Sequence, residues 1–162
     1  MKTNTAKILG KARPKVTALL RSRPFYKVED LILQFKTHIL GLLELNIGGF
    51  YHACDTELSQ INRVQTSFVH SLDLSVETAF MEHNLLPLSA RRDIAMLGLL
   101  FRCAHGDAHP ELLELFPRNY CRHGFPTRSE ENRHSHQIAE PPGGTHHEFV
   151  RRSIFGLVRV WN

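Results

Sequence analysis

Apolar positions recur along this chain at the three- and four-residue step of α-helices. Between residues 5 and 21, Ile8, Leu9, Ala12, Val16, Leu19 and Leu20 fall on one face, with Lys7, Lys11, Lys15 and Arg21 largely away from it. Pro14 interrupts the run. A proline has no N–H and crowds the carbonyl four residues back, so a kink or a shortened helix is expected there. Arg23-Pro24 predicts the end of the segment. A second helix is expected from Glu29 and Asp30, acids suited to a helix N-terminus, through Leu31, Leu33, Phe35, Ile39, Leu42 and Leu43, until Gly48-Gly49 breaks it.

Asp55 is the expected N-cap of a third helix carrying Leu58, Ile61, Val64, Gln65 and Phe68, an apolar face with one polar interruption. Ser75 is expected to cap a short helix with Val76, Ala79 and Phe80. Ser89 is expected to cap a longer one with Ile94, Met96, Leu97, Leu99, Leu100 and Phe101, apolar nearly all round and therefore predicted to be central. His105-Gly106 predicts its stop, and Pro110 opens a short helix ending near Phe116. From Pro117 to about Thr145 the composition turns to Pro, Gly, His, Arg, Ser and Glu, which predicts a long loop or linker. The last stretch, Glu148 to Trp161, regains apolar content. Its spacing favours a helix and leaves a terminal strand pair open.

The expected fold class is all-α: an irregular helical bundle with a Pro/Gly/His-rich linker and a C-terminal helix. Four segments follow: a basic N-terminal helix at 1–27, a helical core at 28–117, a linker at 118–147 and a C-terminal amphipathic segment at 148–162. With 42 % apolar residues in 162, the chain can bury a real core, and 22 % charged residues argue against wholesale disorder. No apolar run nears the roughly 18 residues of a membrane span, and the longest, Ile94 to Phe101, reads as a buried helix.

The net charge of +4 conceals an asymmetry. Residues 1–27 hold eight basic and no acidic side chains. Residues 28–117 hold five basic and twelve acidic, and residues 118–162 hold seven and four. Basic ends suit a polyanion, although solvated charge without a partner fits the same pattern. The acid-free start also matches the composition of a mitochondrial presequence, whereas no apolar run follows it that would make a secretory signal.

Catalytic chemistry finds little to stand on. Metal-dependent polymerisation needs two or three converging carboxylates, and the chain has no Asp-Asp pair. Cys54, Cys103 and Cys121 are odd in number and widely spaced, which fits neither a disulfide framework nor a four-cysteine zinc site. Cys121, His123, His134, His136, His146 and His147 could together ligate zinc, but their spacing matches no finger or knuckle. A His-site nuclease would need paired strands that the pattern does not provide. Serines 67, 71, 75, 89 and 153 lie outside any nucleophile elbow, and neither Gly-Gly pair forms a phosphate-cradling loop. No metal and no cofactor is expected. Arg91 and Arg92 stand in the first turn of a predicted helix, where the dipole disfavours each cation by roughly 0.3–1 kcal/mol, so a compensating partner is expected. Nearby acids such as Asp93 or Glu82 would serve, as would a phosphate backbone or a neighbouring domain.

Two phrases carry a resemblance. Leu58, Ile61, Arg63-Val64-Gln65 and Phe68 form one. Leu85-Leu86-Pro87-Leu88 followed by Arg91-Arg92 forms the other. Together they resemble the region downstream of the polymerase domain in reverse transcriptases of non-LTR, LINE-type retrotransposons. The Arg21-to-Tyr26 stretch, the helix to Tyr51-His52-Ala53 and the closing Arg152-to-Asn162 stretch resemble it more loosely. The resemblance implies a non-catalytic, supporting part of an RNA-directed DNA polymerase. Such a part packs behind the thumb and contacts RNA or DNA backbone weakly and without sequence preference. It implies the missing polymerase domain as a second partner, and the short apolar runs already argue for no membrane. The catalytic aspartates and the family's endonuclease have no counterpart here. The candidate nucleic-acid-binding residues are Lys2, Lys7, Lys11, Lys15, Arg21, Arg23, Arg91 and Arg92. A helical protein–protein module using the acidic middle and the apolar C-terminal segment is the competing expectation.

Overall fold

The computed structural model describes residues 2–45, 47–117, 136–139 and 153–162. Most of the expected linker at 118–147 lies outside them, with Cys121, His123, His134, His146 and His147. The fold is all-α, and among the described residues there is no sheet. Contacts divide the chain into two compact units, Met1–Arg92 and Asp93–Asn162.

In the first unit, α1 (Lys2–Arg21) runs unbroken through Pro14. The expected shortening does not occur, for a local reason. Pro14 is exposed, and Gly10, whose carbonyl loses its i→i−4 donor, is exposed too, so water can satisfy that oxygen. The opposite face of α1 buries Thr5, Ile8, Leu9, Ala12, Val16 and Leu19. It packs against α5 (Asp55–Ser71), where the Thr5 hydroxyl donates to Glu57.

The second helical run is α2 (Val28–Phe35), a π-helical turn (Lys36–Leu40) and α3 (Gly41–Glu44). It buries Leu31, Phe35, Ile39 and Leu43. Steps of four residues drift by about 40° each around an ordinary α-helix, and the wider turn takes up that drift. Leu33, expected inside, is 62 % exposed. The run stops at Leu45, which is extended, so Gly48-Gly49 is not its breaker: both glycines lie within the single turn α4 (Ile47–Phe50).

Asp55 is the first residue of α5 rather than its cap, and Cys54 holds the N-cap position. Ile61, Val64, Gln65 and Phe68 are buried, with Phe68 stacked on Phe35 at a ring separation of 4.3 Å. The helix ends with Asp73 at φ 59°, where Leu74 N–H reaches the Val69 carbonyl and Asp73 N–H reaches that of His70. Ser75 caps α6 (Val76–Met81) through Thr78 N–H at 2.9 Å.

The helix α7 (Leu88–His105) starts one residue before Ser89, which is therefore in its first turn and not its cap. The division between the two units falls within it. Ile94 and Phe101 are 59 % and 49 % exposed, so α7 is amphipathic rather than buried all round. It closes as expected at Gly106 (φ 84°), with Asp107 N–H bonded to the Arg102 carbonyl. In the second unit, α8 (Pro110–Leu115) has its proline in the first turn, and the C-terminal segment forms α9 (Ile154–Trp161), capped by Ser153. Leu100, Cys103, Ala104, Phe116, Ile138 and Val158 make its core. The Trp161 indole donates to the His136 carbonyl, and the Asn162 amide brackets the backbone of Ile138 at 2.9 and 3.0 Å.

Candidate nucleic-acid interface

The eight candidate residues divide into two groups. Lys7, Lys11, Lys15 and Arg21 are exposed on α1, and among the described residues none pairs with an acid. Lysines four apart stand about 6 Å apart along a helix axis and share one side, so the first three form a continuous ridge. The buried stripe opposite the ridge fixes its outward orientation. Lys2 belongs to the same helix, but its side chain lies outside what the structure describes.

The other three candidates are committed to the fold. Arg23 donates to the Ser71 carbonyl and the Asp73 carboxylate, tying the turn after α1 to the end of α5. Arg91 forms a two-point contact with Glu44, in which Nη2 stands 3.2 Å from Oε2. That hydrogen bond holds the guanidinium pKa above its ordinary value. Arg92 is 5 % exposed and donates to Asn62 Oδ1 at 2.8 Å. The compensation expected for two cations at this helix start thus includes partners from α3 and α5, where Glu44 and Asn62 reside.

Two further cations belong with the ridge. Arg13 and Arg63 are exposed on facing flanks of a groove of about 440 Å³ between α1 and α5, together with Thr17, Gln60 and Ser67. On the other flank of α1, Lys15 and His38 border a depression of about 360 Å³. Arg13 was legible in the charge count of residues 1–27. Arg63 stands inside the Val-Gln phrase, and its relation to Arg13 depends on how α1 packs on α5, which no local pattern encodes.

Among the described residues the acids do not converge. Glu29 and Asp30 open α2, Asp55 and Glu57 open α5, and Glu77 opens α6, each favourable to a helix N-terminus. Among the described residues, no three His, Cys, Asp or Glu side chains cluster as a metal site would require. No described helix is long and apolar enough to cross a membrane. What the exposed cations of α1 can do is neutralise a run of phosphates by charge. Comparison with protein-family models, curated proteins and solved structures gives no match.

Proposed function

We propose that this chain is a non-catalytic helical module that holds nucleic-acid backbone through the outer face of α1. In this reading it is the region downstream of the polymerase domain in a LINE-type reverse transcriptase, packed beside that domain. The observation that carries the binding role is the ridge of Lys7, Lys11 and Lys15 with Arg21 further along the same helix, all exposed and unpaired with any described acid. The retrotransposon origin rests on the two sequence phrases. Their meeting in the fold, where Gln65 donates to the Leu86 carbonyl at 3.1 Å and Arg92 to Asn62, is consistent with their belonging together.

A fluorescent RNA–DNA duplex titrated at two salt concentrations tests the binding role. Four phosphate contacts give roughly a hundredfold loss of affinity between about 50 and about 200 mM salt. Equal affinity at both would remove the electrostatic basis of the proposal. The exposure of Ile94 and Phe101 on α7 favours a second reading, a helical protein–protein module. A protein partner whose capture survives nuclease treatment would support that reading instead.

A further inference from the structure

A cavity of about 140 Å³ lies where α5, α6 and the segment entering α7 meet, all within the first unit. Its floor is apolar, formed by the buried Val69, Ala79, Leu85 and Leu88. Thr66 and the exposed Ser89 stand at its rim. The one polar side chain on the floor is Gln65, 4 % exposed.

Gln65 Nε2 donates to the Leu86 carbonyl at 3.1 Å, which fixes the amide orientation, since a carbonyl can only accept. Its Oε1 is left buried and accepts no hydrogen bond from any described residue. Of the polar neighbours, Thr66 Oγ1 donates its proton to the Asn62 carbonyl at 3.0 Å, and Asn62 Oδ1 accepts from Arg92. A buried amide oxygen strongly favours a donor. A cavity of about 150 Å³ accommodates a single benzene ring.

We propose that this cavity is a binding site for a small, single-ring apolar molecule with one O–H or N–H donor, which it presents to Gln65 Oε1. The apolar body fills the space between Val69, Ala79, Leu85 and Leu88. The donor satisfies the oxygen that the fold leaves unpaired. This site is independent of the α1 ridge and of any nucleic acid.

Phenol and benzene, titrated separately into the full chain and followed by amide NMR shifts, test the proposal. Phenol should bind roughly tenfold more tightly than benzene, the value of one additional hydrogen bond. Gln65→Met keeps the length of the side chain but lacks the amide oxygen, and should bring the two affinities together. Ala79→Leu fills the floor without touching Gln65, and should abolish both. Equal affinity of the unmodified protein for the two probes would overturn the assignment. So would the lack of any shift at the solubility limit of phenol, or undiminished phenol binding by Ala79→Leu should Gln65→Met not fold.

Discussion

At the scale of single residues, side chains that look alike in sequence do opposite things. Lys7 and Arg92 were both candidates for a phosphate contact, yet one is exposed and the other is buried against Asn62. The dipole argument did predict that Arg91 and Arg92 need a partner. It could not say that the partners stand 47 and 30 residues away on other helices. Glu44→Gln removes the charge opposite Arg91. Both side chains retain solvent contact, at 24 % and 32 % exposure, so the loss should be modest, about 0.5–1 kcal/mol in urea unfolding. The cysteines differ in the same way. Cys54 is exposed with its Sγ 3.0 Å from the Thr56 hydroxyl, which lowers its pKa. Burial raises that of Cys103. A lowered pKa means more thiolate at a given pH, so near pH 8 a thiol reagent should modify Cys54 first and leave Cys103 protected until unfolding. Thr56→Val should slow the reaction at Cys54, and mass mapping of labelled peptides reads both outcomes.

Among the elements, type was legible and ends were not. Each periodic stretch expected to be helical, and described here, is helical, because a stripe of Ile, Leu, Val and Phe at three- and four-residue steps has only that way to reach a common core. The misreadings each have a cause. Pro14 does not shorten α1 because its face is solvated, which a pattern cannot show. Gly48-Gly49 was taken for a breaker, whereas the chain already turns at Leu45. Ile94 and Phe101 were counted as core on hydrophobicity alone, although α7 buries Met96, Leu100, Cys103 and Ala104 instead. Gly98 lies exposed within α7, and a Cβ there would meet nothing within 4 Å. Gly98→Ala should therefore stabilise the protein by about 1 kcal/mol through helix propensity and reduced freedom of the unfolded chain. A raised urea midpoint with an unchanged slope is the expected signature. In the first unit, Phe35 and Phe68 are fully buried and stacked, so Phe68→Ala should cost about 3–5 kcal/mol, read by the same unfolding.

For the whole molecule, the charge asymmetry of the sequence became a surface only once α1 packed. Burial of Ile8, Ala12, Val16 and Leu19 turns Lys7, Lys11, Lys15 and Arg21 outward together. That much of the candidate site could be drawn from the sequence. The Arg13–Arg63 groove could not, since it arises where helices distant in sequence meet, and the Gln65 cavity could not, since it depends on how α5, α6 and the start of α7 fold against one another. The measurement that bears most directly on the proposed role compares salt dependence before and after the ridge is neutralised. Binding of a nucleic-acid duplex is followed against salt for the unmodified protein and for a variant carrying Lys7→Gln, Lys11→Gln, Lys15→Gln and Arg21→Gln. The account predicts that the slope of log affinity against log salt moves toward zero by about 3 to 4, nearly one per phosphate contact. A folded variant that keeps the original slope and affinity would contradict it.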